Sequence, residues 1–173
     1  MSYRPITDLW ILARPKVKYY GAYPNGFVER AKALLGDGPV LHMCGGHAKK
    51  YPNQRYVIHD YTLDLDPETR PDFCQDAREP LPPCPTWTTW PAILIDPPYT
   101  DADAQHYTPK SLPSANALLK NALASVRVGG RVGMLHYVLP QPPREGVKFV
   151  ACVSVIVGYN NRMRCFSVFE RLA

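Results

Sequence analysis

The sequence predicts an α/β fold, a mostly parallel sheet flanked by helices and closed by an antiparallel C-terminal hairpin. Short apolar runs of strand length recur from Pro39 onward, and two segments, one ahead of them and one among them, repeat apolar residues at helical spacing. Near the end, Val147 to Val157 and Met163 to Leu172 are β-rich runs separated by Gly158-Tyr159-Asn160-Asn161-Arg162, which is hairpin chemistry. Strands alternating with helices and finishing on a hairpin give a parallel sheet with an antiparallel edge. A chain of 173 residues, 46% hydrophobic and 20% charged, suits a single domain over 1–173 with its own core.

The elements follow in order. Asn25 is placed to cap a helix beginning near Gly26, with Phe27, Ala31, Leu34 and Leu35 on one face and Gly36 closing it. Pro39 to Cys44 reads as a buried strand that empties into Gly45 and Gly46. From His47 to Tyr61, Pro52 and Asn53 leave room only for a truncated helix or a loop. Thr62 to Leu65 is a second short strand, Asp66-Pro67-Glu68 a turn, and Asp72 to Gln75 a third strand. Pro80 to Pro91, with five prolines and two tryptophans, is irregular. Ala92 to Ile95 is a compact apolar strand, and Thr100 to Ser111 is polar and reads as a mobile loop. Ser114 caps a second helix, with Leu118, Leu119, Ala122, Leu123 and Val126 on one face and Gly129-Gly130 ending it, before a strand from Arg131 to Leu139.

Composition excludes several classes. The 19 prolines and 11 glycines stay below the share that marks low-complexity disorder. The longest apolar runs fall far short of the ~20 residues of a spanning helix. Met1 to Trp10 lacks the apolar core and cleavage site of an export leader, so a cytoplasmic protein of bacterial or phage type is expected. Five cysteines (Cys44, Cys74, Cys84, Cys152, Cys165), an odd number without a Cys-x-x-Cys pair, read as reduced core thiols. His42, Cys44 and His47 crowd together, but their spacing matches no zinc pattern, and no metal is expected. A net charge of +5 leans mildly toward a polyanionic partner.

In such a sheet, ligands gather beyond the carboxyl ends of the strands. Those ends carry Cys44-Gly45-Gly46, Asp64, Asp76 and Asp96-Pro97-Pro98-Tyr99. A strand emptying into two glycines lets a ligand press against backbone amides. After Ile95, two prolines remove two amide donors and leave rigid carbonyls able to accept hydrogen bonds. A carboxylate, a free carbonyl and an aromatic ring in four residues form a receptor for a flat ring bearing an amino group. Asp96 and the Pro97 carbonyl each accept one amino hydrogen, and Tyr99 stacks on the ring.

Ile95-Asp96-Pro97-Pro98-Tyr99 resembles the Asp-Pro-Pro-Tyr motif of S-adenosylmethionine-dependent methyltransferases that modify exocyclic amino groups, chiefly N6 of adenine in DNA or RNA. The resemblance runs in order from about Tyr19 to Leu172. Val40-Leu41-His42-Met43-Cys44-Gly45-Gly46 is similar to the family's first cofactor motif, with His42 in place of the usual acid and Cys44 in place of the first glycine. Leu63-Asp64-Leu65-Asp66-Pro67 is similar to the second strand, whose acid takes both ribose hydroxyls. That makes Asp64 the first choice, with Asp60 and Asp66 as alternatives. Asp76-Ala77, followed by Leu81-Pro82, resembles the motif that bonds the cofactor's adenine amino group. Lys18-Tyr19-Tyr20-Gly21-Ala22-Tyr23-Pro24 is either the segment that covers the methionine moiety or a surface loop.

The resemblance implies a Rossmann-like class I methyltransferase domain that is not circularly permuted and has no room for a target-recognition domain. It implies S-adenosylmethionine as cofactor, with Asp96, Pro97, Pro98 and Tyr99 catalytic and with His42, Cys44, Gly45, Gly46, Asp64, Asp76 and Ala77 binding the cofactor. The substrate is a nucleic acid, DNA ahead of RNA, and N6 of adenine is the leading acceptor. N6 of adenine or N2 of guanine in RNA, or a catalytically silent subunit, are the alternatives. Sequence readout falls to a homodimer or a specificity partner. Tyr107, Trp87 and Trp90 either line the base cleft or, for the tryptophans, pack against the Pro-rich segment. Lys49, Lys50, Arg55, Lys110, Arg144, Lys148, Arg162 and Arg164 either gather at the cleft for phosphates or remain scattered solvated charges. A nicotinamide oxidoreductase is disfavoured, because no Gly-x-Gly-x-x-Gly follows the first strand.

Overall fold

The computed structural model describes residues 4–19, 21–50, 52–105, 111–158 and 162–173. Tyr107 and Lys110 lie outside these residues, as do Tyr20 and residues 159–161 of the expected hairpin connection. The described strands are β1 (Ile6–Leu12), β2 (Val40–Met43), β3 (Tyr61–Asp64), β4 (Phe73–Cys74), β5 (Trp90–Ile95), β6 (Val126–His136), β7 (Val147–Val157) and β8 (Met163–Arg171). They form an eight-stranded sheet in the order β1-β7-β8-β6-β5-β2-β3-β4. β8 runs antiparallel to both β6 and β7, and every other neighbouring pair is parallel. The chain order reverses around β2, which has β3 on one side and β5 on the other, and that reversal opens a crevice at the carboxyl ends of β2 and β5. Both strands are buried along their whole length, as strands covered on both faces must be.

Each face of the sheet has its own core. Helix α1 (Phe27–Leu35) turns Phe27, Val28, Ala31 and Leu35 onto Trp10, Leu94, Val153, Val155 and Phe166. A short helix α2 (Asp101–Gln105) follows β5, and α3 (Ala115–Ser125) covers the opposite face with Leu118, Leu119, Ala122 and Leu123 against Leu41, Ile93, Ile95 and Met134. Fully burying each such side chain is worth roughly 1.5–3 kcal/mol, so these two apolar stripes hold the helices on the sheet. The parallel sheet with its antiparallel C-terminal hairpin agrees with the pattern read from the sequence.

Several local expectations are corrected. β1 has no counterpart in the sequence reading: it pairs in parallel with β7, and its Asp8 carboxylate occupies the Leu9 amide and the Trp10 indole N–H. Asn25 does not cap α1. Gly26 holds the cap position in left-handed backbone (φ 77°), and the Asn25 amide bonds Ala13 instead. Ser114 sits at the α3 N-cap without a side-chain capping bond. α3 ends at Ser125 rather than at Gly129-Gly130, because Val126 is buried as the strand partner of Trp90 rather than on the helix face. β5 begins at Trp90, and β6 stops at His136, whose Nδ1 accepts from the Val138 amide. Within the polar 100–111 stretch, Asp101–Gln105 is helical, its first turn tied by Thr100 Oγ1. Among the cysteines only Cys84 is fully buried; Cys74 is exposed, and Cys152 and Cys165 meet at 3.3 Å across β7 and β8. Among the described residues, no helix is long and apolar enough to cross a membrane.

Candidate active site

The crevice is built from three loops that leave β2, β3 and β5. After Met43 the chain must turn at once, and Cys44 takes the left-handed conformation (φ 58°) that a glycine would ordinarily supply. Gly45 allows the next step: a Cβ there would lie 2.6 Å from the His42 carbonyl oxygen. Its amide donates to the Leu63 carbonyl at 3.0 Å, and the Gly46 amide donates to Asp64 Oδ2 at 2.7 Å, so the glycine turn is stitched to the end of β3. The second Asp64 oxygen accepts the Asp66 amide at 3.0 Å. Above Gly46 the space is open.

The carboxylates gather around this turn. Burial, followed by the Asp64, Asp96 and Asp76 charges, pushes the Cys44 thiol far up, so Cys44 is a neutral lining group rather than a thiolate. Asp96 follows β5 directly, and its amide bonds the Met43 carbonyl at 3.2 Å, which joins the two central strand ends. Burial raises the Asp96 carboxyl to about 6, against hydrogen bonding from Tyr99 and the charge of Arg164. Tyr99 donates its hydroxyl to Asp96 Oδ1. Its ring lies 4.7 Å from Tyr137 and 5.4 Å, edge-on, from His136, with the Arg164 guanidinium 5.2 Å from its centroid. Tyr23 is buried beside these groups, and its hydroxyl is pushed up by burial and then by Asp96.

The remaining candidates each have partners of their own. Asp60 sits before β3, at the amino end of the strand, with no exposed side-chain surface. It accepts Lys32 Nζ at 2.7 and 2.8 Å, the Val40 amide at 3.0 Å and His42 Nε2 at 3.1 Å. His42 is wholly buried, and its Nδ1 lies 3.4 Å from the Tyr23 hydroxyl; a proton on Nε2 satisfies both contacts. His42 therefore faces a buried acid rather than open crevice. Asp66 caps the 3-10 turn Pro67–Thr69 through the Glu68 amide. Asp76 is gripped by its neighbour Arg78, at 2.6 Å from Nη2, while Ala77 is buried and its carbonyl accepts Asn121. Among the described residues, no cluster of three metal-ligating side chains occurs.

The tryptophans do not line the crevice. Trp90 is buried at the amino end of β5 and donates to the Pro82 carbonyl at 2.7 Å, which is packing against the Pro-rich segment. Trp87 is stacked by Arg127. Among the basic residues, Lys49 is paired with Asp72 at 2.6 Å and Arg55 lies on Tyr56, whereas Arg164 enters the site. Tyr19 packs edge-on against His47, the residue after the glycine turn. Sequence reasoning missed His136, Tyr137 and the placement of Arg164. The available signal was that a C-terminal antiparallel strand begins where parallel strands end.

No protein-family model matches the chain, and no curated protein matches it in sequence. Solved structures do. The structure of TrmN from Thermus thermophilus is similar with a TM-score of 0.61 at 19% identity, over 88% of this chain and 50% of that one. The rRNA methyltransferase aviRa from Streptomyces viridochromogenes gives 0.54 at 14% identity, over 90% and 88%. The Pyrococcus abyssi tRNA (uracil-54, C5)-methyltransferase in complex with S-adenosyl-L-homocysteine gives 0.51 at 11%, over 82% and 36%. The chain thus spans about half the length of TrmN. At these identities the likeness is one of fold, and the chain has the Rossmann-like fold of a methyltransferase.

Proposed function

We propose that this chain is an S-adenosylmethionine-dependent methyltransferase that acts on an exocyclic amino group of a nucleic-acid base, with N6 of adenine in DNA as the leading target. The observation that carries this is the Asp96 carboxyl, raised to about 6 and bonded by Tyr99, standing beside the glycine turn at the chain reversal. The residues present fit the cofactor. Gly46 leaves open space over its backbone, Asp64 lies at the rim of the same turn, and His47 Nδ1 is buried without a partner among the described residues. When bound, the cofactor supplies an electrophilic methyl group and a good leaving group.

An exocyclic amine is a poor nucleophile because its lone pair is delocalised into the ring. Asp96 and the Pro97 carbonyl accept its two hydrogens and favour a pyramidal nitrogen. Those bonds strengthen as positive charge grows on nitrogen, so they stabilise the transition state more than the ground state. After methyl transfer the cationic nitrogen gives up its extra proton to solvent, so no strong base is needed. A base drawn from a duplex must first leave the stack, at a cost of a few kcal/mol.

RNA is the second reading, favoured because two of the similar structures are an rRNA methyltransferase and a tRNA methyltransferase. The deciding experiment incubates the chain with labelled cofactor and DNA, RNA and protein in parallel, then identifies the modified nucleoside. Label in N6-methyladenine from DNA is expected; label in protein alone rejects the proposal.

Two further results are expected. Asp64→Ala weakens S-adenosylmethionine by about ten- to a hundredfold, since hydrogen bonds to a charged acceptor contribute roughly 1.5–3 kcal/mol. Asp66→Ala changes it little. Calorimetry reads both, and the reverse ranking would move the ribose contact to Asp66. With a net charge of +5, binding to nucleic acid is dominated by phosphates and falls steeply with salt. Methylation by the chain alone then shows little sequence discrimination, and readout comes from a second copy or a specificity partner. Mapping modified sites in a random-sequence library tests this, and strict modification of one long site would refute it.

A further inference from the structure

Among the described strands β8 is the one that runs against the sheet, which explains why a residue near the C terminus reaches the crevice. β8 is antiparallel to β6 and β7, so its first residues lie where the parallel strands end: Cys165 stands opposite His136, the last residue of β6, and Arg164 opposite Val155. From there the Arg164 side chain reaches the Tyr99 ring and the Tyr137 hydroxyl, and is half-buried in doing so. We propose that Arg164 is the positioning residue of the amine receptor, holding the Tyr99 ring so that its hydroxyl stays on Asp96 and setting a positive charge behind that carboxylate. The proposal rests on the reading above and assigns Arg164 a role other than phosphate contact.

Geometry carries it. A guanidinium over a tyrosine ring is attracted by the negative ring face, and more strongly where water is partly excluded. Tyr99 is also hemmed by Tyr137 and, edge-on, by His136, so the ring has neighbours from the end of β6, the residue after it and β8, and its hydroxyl is aimed at Asp96. The groups facing Asp96 are Tyr23 ahead of α1, Cys44 after β2, Tyr99 on its own loop and Arg164 from β8, with Asp64 close behind Cys44. Burial keeps Tyr23, Cys44 and Tyr99 neutral and lowers His136, so among the described residues Arg164 is the cation that opposes burial at Asp96.

The test compares the native chain with Arg164→Met and Arg164→Lys over pH 5–9. Methyl transfer by the native chain has an acid limb near the Asp96 value of about 6. In Arg164→Met the limb moves up by about one pH unit, because the positive charge that counters burial at Asp96 is gone. kcat at pH 7 then falls about twofold and at pH 6 about fivefold, with KM for nucleic acid and the salt slope unchanged, and Arg164→Lys returns the limb toward its native position. An unmoved limb with raised KM and a salt slope reduced by about one would make Arg164 a phosphate contact and overturn the proposal. A carbon-13 NMR titration of the Asp96 carboxyl in the same chains needs no turnover, so it tests Arg164 even if the methyl-transfer reading fails; equal midpoints in native and variant chains overturn the proposal. Should Arg164→Met fail to fold, Arg164→Gln carries both measurements.

Discussion

Asp96→Ala is expected to lower methyl transfer by on the order of a hundredfold or more while leaving S-adenosylmethionine affinity nearly unchanged. In the proposed reading Asp96 accepts from the substrate amine and not from the cofactor, and removing one hydrogen-bond partner of a developing charge costs about 2.7–4 kcal/mol. The loss is not an unfolding effect. The carboxyl is raised to about 6 by burial, so its charge opposes folding once pH exceeds the ordinary carboxylate range. Asp96→Asn, which removes that charge and keeps the shape, is therefore expected to be at least as stable as the native chain at pH 7 and nearly as inactive as alanine. The native rate falls as pH drops through about 6, where Asp96 takes up a proton. Single-turnover rates with calorimetric cofactor titrations check this, and unchanged turnover in Asp96→Ala would reject the receptor assignment.

The largest stability effect is expected at Asp60. Its carboxylate has no exposed surface and accepts from Lys32, His42 and the Val40 amide at 2.7–3.1 Å. Burial alone would raise this acid, but the hydrogen bonds from His42, Lys32 and Val40 hold it below the ordinary value. Asp60→Ala strands a lysine, a histidine and an amide, and breaking a buried pair in this way costs about 3–5 kcal/mol. For a chain of this size that corresponds to a fall in Tm of roughly 6–20 °C. Because the folded value is depressed, the stabilisation is complete above the ordinary carboxylate pKa and disappears as pH falls through the folded one. Denaturant unfolding at pH 7 and in acid therefore shows a large gap that closes, and equal stability at pH 7 would remove the network from the account. Where the variant remains folded, its cofactor affinity is expected to stay near native, since Asp60 lies at the amino end of β3, away from the glycine turn.

The order of strands and helices was legible because each element carries a local signal. Val147 to Val157 matches β7 end for end, and the buried run before Cys44-Gly45-Gly46 became β2. Boundaries failed where a local signal had a tertiary rival: Val126 fits the apolar face of α3, but Trp90 claims it as a strand partner. The strand-end residues Cys44, Gly45, Asp64 and Asp96 were likewise visible as polar or turn-forming residues stopping apolar runs, and the fold brings them to one crevice.

What the sequence determined by itself is local in origin. Two prolines after a strand and two glycines after another dictate backbone shape within a few residues, and alternation dictates which segments are buried. The tertiary structure alone decided the pairings that cross the chain: Ile6–Leu12 as the edge partner of β7, Lys32 and His42 on Asp60, and Arg164 on Tyr99. Each depends on which elements the sheet brings side by side, and the last on the antiparallel run of β8, so a buried charge or an edge strand acquires its meaning only from the partner set against it.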